Sequence, residues 1–269
     1  AAIDPTFFLS RAVSNVICSI VFGDRFEFED KQFLSLLRMM QGSFQFTATS
    51  MGQLFEMFSG VMKLLPGPQQ QAFKELQGLE DFITDKVQEN QATLDPKSPR
   101  NFIDSFLIKM QEEKKNPNAE FDMRNLVSTT LNLFFGGTET VSTTLRYGFL
   151  VLMKHPEVEA KIHEEIDRVI GQNRPPKFED KAKMPYTEAV IHEIQRFAHI
   201  IPMGVPRRVT KDTKFRGYLI PKGTEVFPML GSALWDTNFF ACPEAFNPQH
   251  FLDEEGQFKK SDAFVPFSI

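Results

Sequence analysis

Residues 122–153 read DMRNLVSTTLNLFFGGTETVSTTLRYGFLVLM, and this stretch contains no proline. Its apolar residues occur nearly all round a helical cylinder, which predicts one long, buried α-helix. At about 1.5 Å per residue, the helix would extend roughly 45–50 Å and cross a whole domain. Asn132, Glu139 and Arg146 interrupt the apolar run within the length that a bilayer requires, so a membrane span is not predicted.

Gly136 and Gly137 occupy the middle of this stretch and are followed by Thr138, Glu139 and Thr140. Each glycine costs about 1 kcal/mol relative to alanine inside a helix, but the missing Cβ lets a flat group approach the backbone closely. The Thr140 hydroxyl can bond to the Gly136 carbonyl and open the helix locally, beside the Glu139 carboxyl group. This arrangement suits proton delivery to a bound ligand, although a packing crossover with a kink explains the same spacing equally well.

The composition is that of a globular chain with an unusually aromatic interior. Its 269 residues include 29 Phe but only 3 Tyr and 1 Trp, which suits either a roomy apolar cavity or ordinary core packing. The net charge of −5 and the absence of a basic stripe argue against a nucleic-acid partner. Cys18 and Cys242 are far apart and lack a Cys-x-x-Cys pattern, so neither a disulfide framework nor a zinc site is predicted.

Helical patterns dominate residues 1–200. We expect residues 1–269 to form a single domain. The first helix is predicted to have Asp4 at its N-cap and Pro5 at its first helical position. Its inner stripe is predicted to comprise Phe8, Ala12, Val16, Ile17 and Ile20. Residues 201–230 are predicted to form a small antiparallel sheet, with Pro221-Lys222-Gly223 as the turn between two short strands. Residues 231–269 are expected to form a meandering loop rich in proline and phenylalanine.

Residues 51–68 form a crowded apolar segment that ends in Pro66-Gly67-Pro68. A segment with so few charges is typical of a membrane interface or of a lid over an apolar pocket. Plain core packing is an equally good interpretation of the sequence.

Glu193 and Arg196 stand three residues apart in a predicted helix and therefore share one face. The apolar neighbours Val190 and Phe197 indicate that this pair is partly buried, and a buried ion pair requires further hydrogen bonds. We expect His250 to provide the third contact. The sequence His192-Glu193 does not predict a zinc protease site, because Arg196 occupies the position of the second histidine.

These signals occur in one order along the chain: GGTET at 136–140, EIQR at 193–196, FNPQHF at 246–251 and FVPFS at 264–268. Together they resemble the cytochrome P450 haem-thiolate monooxygenases, and most closely subfamily A of the microsomal family 2. The resemblance runs through the entire chain and implies a mainly α, partial cytochrome P450 fold.

The resemblance implies a set of site residues. Gly136 and Gly137 would lie over the haem face and leave room for dioxygen, while Thr140 would hold the bound oxygen by a hydrogen bond and Glu139 would help to deliver protons. Arg207 would contact a haem propionate, and Glu193, Arg196 and His250 would be structural, with His250 where many relatives carry arginine. The residues that match substrate-pocket positions are Phe44, Asn132, Phe135, Gly136, Ile201 and Val205.

The resemblance also implies partners and a cellular location. The complete enzyme would use haem b, electrons from an NADPH-dependent flavoprotein reductase and dioxygen to hydroxylate small hydrophobic substrates, either xenobiotics or steroids. It would lie on the cytoplasmic face of the endoplasmic reticulum membrane, and residues 51–68 would dip into the membrane surface.

The present chain is expected to be an internal fragment that stops before the haem-ligand cysteine, lacks the membrane anchor and is inactive alone. Two alternatives remain at this stage. One is a haem-thiolate isomerase or dehydratase, against which the Glu139-Thr140 pair argues; the other is a non-catalytic helical module that binds hydrophobic ligands or membranes.

Overall fold

The computed structural model describes residues 3–268, apart from the side chains of Glu56 and Ser59. The chain divides into two compact units, Ala1–Ser142 and Thr143–Ile269, which are described separately below. The described residues are mainly helical with a small antiparallel β part, as the sequence predicted. The expected single domain stays a prediction.

The first unit consists of helices that the hydrophobic periodicity predicted. They are α1 (Thr6–Val21), α2 (Lys31–Thr47), α3 (Ser50–Met62), α4 (Pro68–Ala92), α5 (Phe102–Glu112) and the first part of α6 (Met123–Lys154). Asp30 caps the N-terminus of α2 by accepting a hydrogen bond from the Phe33 amide, and Pro68 begins α4 at a position where its missing N–H costs nothing. The core of this unit is a continuous apolar cluster that includes Cys18, Phe33, Leu36, Met40, Leu79, Ile83, Val87, Ile103 and Leu126.

Helix α1 buries a different face from the one predicted. Leu9, Cys18 and Val21 are buried, whereas Phe8, Val16 and Ile20 are exposed, so the predicted inner stripe is wrong at these three positions. The buried face carries polar residues that are nevertheless satisfied. Ser14 donates to the Ser10 carbonyl at 2.7 Å, and Asn15 exchanges two hydrogen bonds of 2.8 Å with the Phe26 backbone. Because these polar atoms have local partners, their burial is tolerated.

The second unit contains the end of α6, two further long helices, a short helix and four short strands. Its elements are α7 (Pro156–Val169), α8 (Pro185–Ala198), α9 (Leu230–Leu234), β1 (Arg207–Arg208), β2 (Thr213–Phe215), β3 (Tyr218–Ile220) and β4 (Glu225–Val226). Short 3₁₀ helices occur at Phe178–Lys183 and Pro248–Phe251. The last of these helices packs against α8.

The strands pair as two antiparallel ribbons, β1 with β4 and β2 with β3. The turn between β2 and β3 is Arg216-Gly217, where both residues have positive φ angles, of 48° and 86°. This backbone conformation matches the twist of a two-residue hairpin. Pro221-Lys222-Gly223 also turns, but it joins β3 to β4, which do not pair with each other. The predicted turn between two short strands is therefore confirmed, but these two strands belong to different ribbons.

Helix α6 is continuous over its 32 residues, as predicted, but it is not buried all round. Its buried positions follow a spacing of four residues and include Leu126, Thr130, Phe134, Thr138 and Ser142. A second stripe with the same spacing is exposed, and it includes Leu133, Val141, Leu145, Phe149 and Met153. The prediction of burial on all sides is therefore wrong for the described chain, because its other elements pack along one stripe of the helix.

Candidate functional site

The two central glycines of α6 have different surroundings. A Cβ built on Gly137 would overlap the Cδ1 and Cγ1 atoms of Ile17, so this glycine allows α1 and α6 to pack closely. A Cβ built on Gly136 would have no neighbouring atom within 4 Å among the described residues, outside its own stretch of helix. Gly136 therefore borders open space, and Gly137 is explained by helix packing. The crossover interpretation applies to Gly137, whereas Gly136 leaves room for a ligand.

Thr140 makes the hydrogen bond expected of it. Its hydroxyl donates to the Gly136 carbonyl at 2.6 Å, four residues earlier in the same helix. This bond fixes the side-chain oxygen beside the open space at Gly136 without interrupting the helix. The hydroxyl oxygen is thereby positioned to accept a hydrogen bond from a group that approaches Gly136.

Glu139 stands three residues after Gly136 on α6 and immediately before Thr140. It borders a cavity of about 10 Å³ that is also lined by Thr6, Phe7 and Ser10 of α1. Such a cavity is at the lower limit for a single water molecule. Glu139 therefore lines a space at the limit for one water molecule.

The predicted substrate-pocket residues of the first unit are partly brought together. Phe44 of α2 and Phe135 of α6 form a ring pair, with 5.2 Å between their centroids and 55° between their planes. Both line a cavity of about 270 Å³ with residues of α3 and α4. Asn132 and Gly136 lie on α6 and are exposed. These residues combine an aromatic wall with a polar amide, as small-molecule pockets commonly do.

The predicted site residues of the second unit lie around strand β1. Ile201 is half-buried, whereas Val205 and Arg207 are exposed. Arg207 pairs with Val226 across β1 and β4, and its guanidinium donates to the Ser268 hydroxyl at 3.2 Å. The strand therefore holds a cation at the surface of this unit, close to residues 264–268.

Helix α3 contains a break at Phe58, where the backbone leaves helical geometry. Met57, Val61 and Leu64 are strongly exposed, so core packing does not explain this part of residues 51–68. No helix among residues 3–268 is long and apolar enough to cross a membrane. The same range contains no cluster of three or more His, Cys, Asp or Glu side chains that could hold a metal ion.

Glu193 and Arg196 of α8 form a bidentate ion pair, and both side chains are 0% exposed. Arg196 Nε and one terminal nitrogen donate to the two carboxylate oxygens at 2.7 Å. The guanidinium also packs over the Phe240 ring, 5.2 Å from its centroid. The pair is thus fully desolvated, and it is tolerable only if its remaining donors and acceptors are satisfied.

The last residue of α9 and the segment that follows this helix supply those partners. Arg196 donates to the carbonyl oxygens of Leu234, Pro243 and Ala245 at 2.8–3.1 Å, while Glu193 accepts a hydrogen bond of 2.8 Å from the Asn247 amide. Sequence reasoning missed these carbonyl partners, because backbone acceptors leave no side-chain signal. The ion pair thereby fastens residues 234–247 to α8.

His250 makes the third contact that the sequence suggested. Its Nδ1 lies 3.2 Å from both carboxylate oxygens of Glu193, and its Nε2 faces the Ala241 carbonyl. Both ring nitrogens therefore face acceptors, which only the imidazolium form can satisfy. Burial lowers the pKa of His250, but the hydrogen bonds to Glu193 and Ala241 outweigh it, so the pKa is raised above 6.5.

His250 should therefore stabilise the protein in a pH-dependent way. A raised folded-state pKa gives stabilisation that is complete below about pH 6.5 and is lost as the pH rises through the folded-state pKa. Because hydrogen bonds to charged groups contribute about 1.5–3 kcal/mol, His250→Gln should lower the Tm of the complete protein more at pH 6 than at pH 8. Equal losses of Tm at the two pH values would contradict a charged His250.

The two cysteines differ in environment. Burial raises the pKa of the Cys18 thiol to about 12, so Cys18 stays protonated and is a core residue. Cys242 is exposed in the loop between α9 and the 3₁₀ helix Pro248–Phe251, and its φ angle is 51°. Because a metal-binding cysteine is a thiolate, the protonated Cys18 is unsuitable as a ligand.

Glu165 of α7 is a structural residue that the sequence did not reveal. Its carboxylate is buried and accepts hydrogen bonds from the Thr187 amide at 2.7 Å and the Tyr186 amide at 3.2 Å. These amides belong to the first turn of α8, whose N-cap residue Met184 offers no side-chain bond. The sequence shows that Met184 cannot cap α8 with its side chain, which indicates that another group must accept hydrogen bonds from the first-turn amides. It does not indicate that this group is the Glu165 carboxylate.

The sequence of the chain is similar to that of a known protein family. The family model for cytochrome P450 matches residues 1–269. The chain is 81% identical to cytochrome P450 2A5 of Mus musculus and 80% identical to cytochrome P450 2A3 of Rattus norvegicus and 2A13 of Homo sapiens, in each case over all 269 residues. The matched region is 54% of each relative, so the chain spans about half the length of these curated relatives.

Proposed function

Because the chain belongs to the cytochrome P450 family, we propose that the complete protein is a haem-dependent monooxygenase that hydroxylates small apolar xenobiotics or steroids. The observation that carries this proposal is the open space at Gly136 beside a Thr140 hydroxyl that is fixed in place. Haem b, when bound, supplies the oxygen chemistry, while the protein provides orientation and proton delivery.

The residues present are compatible with a haem group. Gly136 offers a helix surface without a Cβ, which a flat macrocycle requires for close approach. Arg207 offers an exposed guanidinium that can bind a propionate carboxylate by charge-assisted hydrogen bonds. We assign Gly136 and Thr140 of the first unit and, separately, Arg207 of the second unit to haem contacts, with the openness at Gly136 as the principal support. Gly137, which was predicted with them, packs against Ile17 and is not assigned to haem.

Thr140 and Glu139 are proposed to move protons. The Thr140 hydroxyl, held at 2.6 Å from the Gly136 carbonyl, can accept a proton from one neighbour while it donates its own. Glu139 immediately precedes Thr140 in the chain, lines a space at the limit for one water molecule, and can exchange protons with a water bound there. A relay of this kind contributes when its groups lie within hydrogen-bond reach or are joined by one water.

The substrate is proposed to contact the Phe44–Phe135 ring pair, Asn132 and Gly136, together with Ile201 and Val205. The ring pair offers flat apolar surface, and the Asn132 amide can orient a polar substituent. Glu193, Arg196 and His250 are proposed to act structurally, because their buried network joins α8 to residues 234–250 and leaves no group exposed to substrate.

The partners follow from the same proposal. Electrons would come from an NADPH-dependent flavoprotein reductase, and the complete protein would reside at the cytoplasmic face of the endoplasmic reticulum membrane. The exposed apolar side chains of α3, including Leu54, Met57 and Val61, would contact the membrane surface.

Isotope labelling tests this function directly. With reductase, NADPH and ¹⁸O₂, the complete protein should introduce one labelled oxygen atom into a small apolar substrate and release the other as water. An isomerase or dehydratase would rearrange a peroxide without consuming dioxygen, and a carrier would return the substrate unchanged. Product whose new oxygen came from water, or no oxygenated product, would contradict the proposal.

A further inference from the structure

A recess of about 410 Å³ lies in the first unit, along one side of the contact between α2 and α4. Its lining includes Gly42 and Gln45 of α2 and Gln71 and Glu75 of α4. Spacings of three and four residues place each pair on one face of its helix. The recess is therefore formed by one face of α2 and one face of α4.

This recess is separate from the cavity of about 270 Å³ to which the substrate is assigned. The two cavities share Phe46 and Ala72 and differ in every other lining residue. The substrate cavity takes Ser43 and Thr47 from α2, and these positions lie about 100° or more round the helix from Gly42. A ligand in the recess would therefore contact a different face of α2 from the substrate.

The Glu75 carboxylate lies at this recess. Its Oε1 accepts a hydrogen bond of 3.1 Å from the Gln71 side-chain amide, one turn earlier on α4. Its Oε2 lies against Gly42, because a Cβ built on this glycine would overlap that oxygen. Both neighbours of the carboxylate line the recess, so each of its oxygens is located there. The missing side chain of Gly42 provides the room for this close approach.

The charge of this carboxylate has no local counterpart. Among the described residues, no Lys, Arg or His side chain forms an ion pair with Glu75, and Glu75 is the one charged residue in the described lining of the recess. The residue is half-buried, so its charge is screened less than that of an open surface group. Phe46 adds an aromatic ring, which attracts organic cations, and Met51 adds apolar surface.

We propose that this recess binds an organic ammonium cation with a small apolar body. The Glu75 carboxylate attracts the ammonium group, and Phe46, Met51 and Ala72 contact the apolar body. A metal ion is a poorer occupant, because Ca²⁺ and Mg²⁺ require about six oxygen ligands and the described lining offers one carboxylate. The site goes beyond the proposed monooxygenase function and does not rest on it.

Benzyltrimethylammonium is a suitable probe, because its nitrogen has no lone pair and cannot coordinate haem iron. Calorimetric titration of the complete protein at low ionic strength should show one bound equivalent of the probe. Its affinity should be the same when 4-phenylimidazole is coordinated to the iron and fills the substrate pocket. Loss of probe binding in the presence of 4-phenylimidazole would place the probe in the substrate pocket and overturn the separate site, as would an absence of saturable binding.

Three variants test the role of Glu75. Glu75→Gln removes the charge but keeps the shape of the side chain, and it should weaken probe binding by about fivefold. Gly42→Ala places a Cβ where the carboxylate lies and should also weaken binding, although the net charge is unchanged. Glu80→Gln is the matched control, because it removes an exposed carboxylate from the same helix, and it should leave the affinity unchanged. Equal weakening in Glu75→Gln and Glu80→Gln would indicate a general effect of net charge and overturn the site.

Discussion

Replacing Glu193 with alanine is expected to destabilise the complete protein by about 3–5 kcal/mol and to abolish haem incorporation. The substitution leaves the Arg196 guanidinium charged, fully buried and without its carboxylate. It also removes the acceptor of the Asn247 amide and of the His250 ring. Because these contacts fasten residues 234–250 to α8, their loss should release this segment, and the complete protein should no longer hold haem.

Haem content per protein and the midpoint of denaturant unfolding measure this effect. Glu164→Ala is the matched control, because Glu164 is exposed on α7 and surface substitutions usually change stability by less than about 0.5 kcal/mol. A Glu193→Ala protein that incorporates haem normally and unfolds at the natural midpoint would refute the structural role of the ion pair.

Replacing Thr140 with alanine is expected to uncouple NADPH consumption from hydroxylation. The variant loses the hydroxyl that lies 2.6 Å from the Gly136 carbonyl. The proposed proton relay then lacks the hydroxyl group that lies beside the open space at Gly136. Positioned acid–base groups contribute typically about 10²–10⁴-fold to rates, and we expect the hydroxylated product per NADPH to fall at least tenfold. The missing reducing equivalents should appear as hydrogen peroxide.

Simultaneous assays of NADPH oxidation, product and peroxide measure this coupling. Thr140→Ser keeps a hydroxyl at the same position and should retain most of the coupling, whereas a loss equal to that of Thr140→Ala would indicate a packing role for the methyl group. Unchanged coupling in Thr140→Ala would remove Thr140 from the proposed relay.

Sequence periodicity predicted most of the helical architecture, because helix positions depend on local patterns and on capping residues. The continuous α6 and the proline starts of α4, α7 and α8 follow from this local chemistry. The Thr140–Gly136 bond was predictable for the same reason, since both residues belong to adjacent turns of one helix. The spacing of Glu193 and Arg196 likewise predicted their pairing.

Long-range packing was not predictable from these patterns. The sequence could not distinguish Gly137, which packs against Ile17, from Gly136, which borders open space, because both glycines look alike in a helix. It also did not indicate that the strands on either side of Pro221-Lys222-Gly223 belong to different ribbons, because a turn signal does not specify which strands pair. Helix α1 buries a face that includes Ser14 and Asn15, because both side chains find hydrogen-bond partners there, and this burial could not be read from apolar periodicity.

The absorption spectrum of the reduced carbon monoxide complex tests the central claim most directly, namely that the complete protein binds haem with thiolate ligation. The complete protein should retain about one haem per chain, and its carbon monoxide complex should show the red-shifted absorption of a thiolate-ligated iron. An imidazole-type spectrum, or a folded protein that retains no haem, would contradict the assignment.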